Sequence, residues 1–273
     1  MERIQHIIKY IENNYNQNIP IQKIEQLSNY SYRNIQRVFK NIFKESLGAF
    51  QKRLKLENAY KMLLYTHAPI TEIAYTVGFE SLQSFSKSFK KQFDMSPLQA
   101  RAAKQELFNG FISNYPKEYP NIAREIVYLN QIEVFFIAVQ TKNYDRSNID
   151  LAWDKINAIF SDDASIACYG IIVDEPLITN KTRCRYEACV TKDPLDKDFI
   201  SMHILGGKYA KYIHKGSYDN IEDTYRCIYH DWLFNSDLEF DSSPIVEYYV
   251  KEEFNTVKEE HYITEILVPI KKK

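Results

Sequence analysis

The sequence predicts a multi-domain chain, an all-α double helix-turn-helix domain followed by an α+β domain of duplicated β-α-β-β units. Three observations predict it. A basic amphipathic pattern in the first hundred residues occurs twice at an offset of fifty. The sign of the charge reverses near residue 107. Beyond residue 122, short apolar runs and two helical stretches follow one another in a repeated order.

The stretch Ser81 to Arg101 carries the first observation. Phe85, Phe89 and Phe93 fall at i, i+4 and i+8, one stripe of a helix, while Gln83, Ser84, Ser86, Lys87, Lys90 and Lys91 occupy its other faces. Ser81 is a good N-cap. Ser96, Pro97 and Gln99 supply a cap, a first-position proline and a capping-box partner for the next helix, so the break between the two helices is written locally. A shift of fifty residues superposes Ser31 on Ser81, Ile35 on Phe85, Phe39 on Phe89, Phe43 on Phe93 and Ser46 on Ser96. Upstream the shift is forty-nine, pairing Ile21 with Ile70 and Ile24 with Ile73, so the second copy holds one extra residue before its turn.

Ahead of the first copy, Ile4, Ile7, Ile8, Ile11 and Tyr15 recur at helical spacing, and Pro20 opens the helix that follows. Between the copies, residues 48–66 read as one connecting helix of about 28 Å at 1.5 Å per residue, against a groove repeat of about 34 Å. The exposed faces of the two copies hold Arg33, Asn34, Gln36, Arg37 and Lys40, then Gln83, Ser84, Ser86, Lys87 and Lys90. These are side chains that suit phosphates and major-groove base edges. A lone basic helix is commonly a solvated surface, but two matched ones are not read that way. Residues 1–107 carry 16 Lys and Arg against 9 Asp and Glu, a net of +7, while the rest carry 19 against 27, a net of −8. The overall −1 hides a polyanion-binding front half.

SYRNIQRVFKNIF followed by SLQSFSKSFKKQFDMSP resembles the DNA-binding domain of the AraC/XylS family of bacterial transcription regulators, over residues 1–107. Glu25 and Lys44 depart from the family pattern, which more often has Ala and Gly there. The resemblance implies double-stranded promoter DNA as a partner, RNA polymerase as a further one, and activation as the outcome.

Residues 108–121, with one Gly and two Pro, read as an interdomain linker, and 122–273 as the second domain. Strand-like runs at Ile126–Leu129, Val134–Val139, Tyr169–Val173 and Arg185–Val190 surround a helix at Ile149–Phe160. The runs Tyr209–His214, Ile245–Tyr249 and Tyr262–Pro269 surround another at Ile221–Phe234. Strand alternation puts Glu247 and Tyr249 on one face and Tyr248 on the other. A carboxylate on an inward face needs a proton, a salt bridge or a ligand cation.

GGKYAKYIHKGSY at 206–218, DWLFNS, VEYY at 246–249 and ITEILVPI are similar to the gyrase-inhibitor-like effector-binding domain of bacterial multidrug-responsive regulators, over residues 122–270. That resemblance implies a small lipophilic cationic effector held by Glu247 and Tyr249 within aromatic walls, for which Trp153, Tyr169 and Tyr212 are candidates. Two other readings of the second domain stand beside it: a small-molecule hydrolase with Glu247 as general base, or a protein-contact module without a ligand.

Composition narrows the rest. Cys168, Cys184, Cys189 and Cys227 form no CxxC and are expected to be buried free thiols, and His203, His214 and His230 to be structural. No metal, cofactor or catalytic role is expected. Neither a GxxxxGK nor a GxGxxG phosphate loop occurs, and no apolar run is long enough to cross a membrane, so a cytoplasmic protein is expected.

Overall fold

The computed structural model describes residues 2–113, 122–160, 163, 165–235, 237–251 and 258–271. The chain divides into two compact units, Met1–Ala102 and Ala103–Lys273.

The first unit holds α1 (Glu2–Asn13), α2 (Ile21–Ser28), α3 (Tyr32–Phe43), α4 (Leu47–Tyr65), α5 (Ile70–Thr76), α6 (Leu82–Phe93) and α7 (Pro97–Ala102). The repeat in sequence becomes a repeat in burial. Ile35 and Phe39 of α3 and Phe85 and Phe89 of α6 are all fully buried, and the pattern of exposure between them is nearly the same in both copies. In the first copy, Ile4, Ile7, Ile8 and Ile11 of α1 close a core over Ile24, Ile35, Phe39 and Phe50. In the second, Tyr60 of α4 meets Phe89 and Phe93 edge-on at 5.4 and 4.9 Å.

The helix ends follow the cap residues. Ser81 Oγ accepts from the Ser84 N–H, while Ser96 and Gln99 exchange side-chain and backbone bonds in a capping box. The Ser31 side chain makes no such bond; instead Glu25 of α2 reaches across to accept from the Tyr32 N–H at 2.7 Å. Glu25 thus satisfies an orphan donor that its counterpart alanine would leave open. Lys44 takes the left-handed cap with φ 58°, as Asp94 does with φ 57° in the second copy.

The second unit opens with α8 (Lys104–Ile112), so residues 108–112, expected to begin a linker, are helical. Residues 114–121 of that expected linker lie outside the described residues. Phe108 explains the difference: it is fully buried, with its ring 5.2 Å from Tyr229 and 5.1 Å from Trp232. Burying a phenylalanine gains about 2–3 kcal/mol, more than the roughly 1 kcal/mol that Gly110 costs inside a helix.

There follow β1 (Glu125–Leu129), β2 (Ile132–Thr141), α9 (Arg146–Phe160), β3 (Cys168–Ile172) and β4 (Cys184–Val190). The order then repeats in β5 (Ile200–Ile204), β6 (Gly207–Lys215), α10 (Ile221–Asn235), β7 (Ile245–Lys251) and β8 (Ile263–Pro269). Each unit of the duplication therefore gains a leading strand over the expected order, β-β-α-β-β. Of the two, β5 escapes the sequence because ISMHI alternates exposed polar residues with only three apolar ones.

Among the described residues eight strands form one antiparallel sheet, ordered β1-β6-β8-β7-β3-β4-β2-β5. The order is symmetric about the β7–β3 junction, and the first strand of each repeat pairs with the second strand of the other. At about 4.8 Å per strand the flat sheet would be roughly 34 Å wide. Yet β1, at one edge, is joined to β2, next to the other, by residues 130–131 alone, a reach of about 10 Å. The sheet must curl until its ends meet. They do so at the two short turns, where a Cβ on Gly206 would lie 2.9 Å from Gln131 N and 3.1 Å from Leu129 O. Inside the curl sit Val134, Phe136, Tyr169, Ile171 and Val246; on the outer face, Ala152, Ile156 and Phe160 of α9 pack with Tyr186, Ala188 and Tyr249.

Phe136→Ala is expected to lower the stability of the second unit by about 3–5 kcal/mol in denaturant unfolding. Tyr128→Ala, on the exposed side of β1, is expected to stay within about 0.5 kcal/mol of the parent.

Candidate functional site

The sequence-predicted reading faces lie on α3 and α6. Arg33, Arg37 and Lys40 are exposed on α3, and Gln83, Ser84, Lys87 and Lys90 on α6, while Asn34, Gln36 and Ser86 are partly buried. Several of these polar groups are tied to neighbours. Arg37 donates to Asn34 Oδ1 at 2.9 Å, Gln36 to Tyr32 Oη at 2.6 Å, and the Ser84 hydroxyl to Ser81 O at 2.9 Å. Ser84 therefore serves the helix start, whereas Gln83 and Lys87 are exposed on the same helix.

The second site is a cavity of about 900 Å³ on the outer face of the sheet, bounded by α8, α9, α10 and β7. Its floor is Glu247, only 5% exposed. Tyr225 of α10 donates to Glu247 Oε1 at 2.7 Å and Tyr249, two residues along β7, to Oε2 at 2.6 Å. Tyr249 Oη lies 2.7 Å from Tyr186 Oη, which accepts from Trp153 Nε1 at 3.1 Å. With Tyr249 donating to Glu247, its one proton is used, so Tyr186 donates to Tyr249 and the relay runs from Trp153 to Glu247, which accepts at its end when ionised.

Burial pushes the Glu247 carboxyl above its ordinary range, and the hydrogen bonds from Tyr249 and Tyr225 pull it back only in part. Burial raises all three phenols well above their usual value, with the Glu247 charge adding to the rise, so they remain donors. The relay needs Gly170. It sits opposite Glu247 in the β3–β7 register, and a Cβ there would fall 2.4 Å from both the Tyr186 and Tyr249 hydroxyls. Two phenols cross β3 because that position has no side chain.

Aromatic rings form the walls. Tyr249 meets Trp153 and Tyr218 edge-on at 5.3 and 5.4 Å. The lining is acidic on balance, with Asp145, Asp150, Asp154, Asp219, Glu222, Glu247 and Glu259 against Arg146, Lys181 and Arg226. Arg146 is paired with Asp150 and Asp219, and Arg226 with Glu222 and Asp223.

Of the ligand residues expected from sequence, Glu247, Tyr249 and Trp153 converge here. Tyr169 and Tyr212 do not. Tyr169 points into the curl, stacked on Tyr248 at 4.8 Å, because its neighbour Gly170 occupies the outward position on β3. Tyr212 donates to Asp231 at 3.3 Å and is not part of the lining. Tyr225 and Tyr186 were missed. Tyr225 had a signal, the stripe Ile221, Tyr225, Tyr229 at i, i+4 and i+8. Tyr186 had none, since β4 is buried on both faces. His214 bonds Thr224 Oγ1 at 2.7 Å, and burial lowers its pKa, consistent with a structural role. All four cysteines are free and buried. Among the described residues no His, Cys, Asp or Glu group is arranged to hold a metal, and no helix is long and apolar enough to cross a membrane.

The family model of a GyrI-like small molecule binding domain matches residues 123–271, and that of a helix-turn-helix domain residues 26–103. The chain is 38% identical over 98 residues to the putative HTH-type transcriptional regulator YkgA of Escherichia coli K12, covering 36% of this chain and 41% of that protein. It is 34% identical over 94 residues to regulatory protein SoxS of the same strain, covering 34% of this chain and 88% of SoxS. Among solved structures, the EcmrR C-terminal domain aligns at 17% identity with a TM-score of 0.46, over 56% of this chain and 99% of that one.

Glu247→Gln is expected to stabilise the unliganded second unit at pH 7–8. A carboxyl with a raised folded pKa contributes its full stability below its unfolded pKa and loses it as pH rises through the folded pKa. The gain over wild type should shrink as pH falls toward 4, read as the difference in thermal midpoint across the series. Gly170→Ala should lower that midpoint at every pH.

Proposed function

We propose a function for a chain that belongs to the GyrI-like small molecule binding domain family and whose first unit is an AraC-type helix-turn-helix domain. It is a cytoplasmic transcription regulator that reads promoter DNA with α3 and α6 and binds a lipophilic cation in the cavity of the second unit. The observation that carries the ligand class is Glu247: a buried carboxylate, hydrogen-bonded so as to stay an acceptor, at the base of an aromatic and acidic cavity. A delocalised cation there gains charge attraction at low local dielectric together with the faces of the surrounding rings.

The same geometry favours binding over hydrolysis. Both Glu247 oxygens already accept a hydrogen bond from a phenol, so the group holds charge in place instead of withdrawing a proton from water. The cavity also offers a route from ligand to reader. Leu107, Gly110 and Phe111 of α8 form part of its wall, and α8 starts two residues after α7 of the first unit ends. A ligand that presses on α8 acts on the segment leading out of the DNA-reading unit, and RNA polymerase is the partner such a regulator would meet at a promoter. On DNA, the exposed cations Arg37 and Lys87 supply one contact in each reader.

Tetraphenylphosphonium is expected to raise the thermal midpoint of the full chain and to be recovered unaltered, and Glu247→Gln to abolish the rise. A rise that survives in Glu247→Gln would overturn the cation assignment, and a chemically changed probe would favour hydrolysis. Arg37→Ala with Lys87→Ala is expected to remove binding to promoter duplexes in a gel shift without moving the thermal midpoint.

A further inference from the structure

The extra residue of the second copy has a place in the structure that the first copy lacks. At the end of α2 the chain leaves through Asn29, a single left-handed residue with φ 55°. At the end of α5 it leaves through a Schellman turn: Gly78 N–H donates to Tyr75 O, Phe79 N–H to Ala74 O, and Gly78 has φ 81°. This longer turn is pressed against the loop between α1 and α2. A Cβ on Gly78 would lie 1.9 Å from the backbone oxygen of Asn16, a contact that no side-chain rotation could relieve. Asn16 Nδ2 donates to Thr76 O at 3.2 Å, and Lys55 of α4 donates to Gly78 O at 2.9 Å. From the other side, Gln51 of α4 donates to Tyr15 O and Gln17 O, pinning the loop.

We propose that Gly78 is a positioning residue for DNA reading: through Asn16 and Lys55 it locks the turn before α6 to the α1–α2 loop, so that α3 and α6 meet the duplex at one set spacing. The inference rests on the function proposed above. Tyr60 of α4 already holds the second half of α6 through Phe89 and Phe93. The lock adds a second tie at the other end, on the turn that leads into α6, and leaves the reading faces untouched.

The test uses the full chain and duplexes that the wild type selects from a random-sequence pool, footprinted with hydroxyl radicals. Wild type should protect two stretches one helical turn apart. Gly78→Ala should keep the stretch read by α3 and lose the one read by α6, with the slope of log affinity against log salt falling to about half as the α6 phosphate contacts go. Should Gly78→Ala fail to fold by circular dichroism, Asn16→Ala with Lys55→Met decides by the same footprint, since it loosens the lock without straining the turn. Protection of both stretches at wild-type affinity in these variants, or weakening of both alike in a folded variant, overturns the inference. A wild type that selects no duplex overturns the DNA-reading function itself, and the lock with it.

Discussion

A carboxylate taken out of water is met by donors or takes up a proton, and that constraint shapes the whole outer face of the second unit. Glu247 is met by Tyr225 from α10 and by Tyr249 from its own strand, and Tyr249 is held by Tyr186 and Trp153 behind it. Four elements therefore converge on one charge. The glycine at 170 leaves the space in which two of the phenols cross β3, and the paired strands on either side fix where that space lies. A cavity built this way presents an acceptor and ring faces together, which a neutral aliphatic floor could not do.

The curl of the sheet is the larger frame that makes this possible. Two leading strands exchange partners between the halves, and turns of two residues oblige the edges to approach. The inner face closes on its own side chains, so the helices are left to the outer face. There α9 packs on β2 and β4 and α10 on β6, on either side of the two central strands, and the space left between the helices becomes the cavity, with α8 completing its wall. The first unit shows a different use of duplication. Its two copies bury equivalent residues and expose equivalent cations, and they differ where one residue was added before the second reader.

The sequence was most legible where one short segment suffices. Ser81, Ser96 and Gln99 announced their own caps, the phenylalanines at 85, 89 and 93 their own buried side, and Glu247 with Tyr249 a shared face by alternation alone. It was least legible where an apolar segment could serve either of two sides. Residues 108–112 hold a glycine and no charge, and Arg226, Tyr229 and Trp232 of α10, more than a hundred residues away, hold them as a helix. In the same way Tyr169 and Tyr186 are both buried strand tyrosines, one inside the curl and one beneath the cavity.

By itself, then, the chain determined the helices and strands whose periodicity and caps are local, that the front half is cationic and duplicated, and that a carboxylate in an apolar strand demands a partner. Those are properties of spacing and residue type over a few turns, and they survive without any knowledge of neighbours. Which tyrosines answer Glu247, which side of each strand is the cavity side, and how the extra residue at Gly78 is used were decided by tertiary structure. Each depends on the distance between groups far apart in the chain, set by strand register and by the closing of the sheet, and no local pattern encodes such a distance.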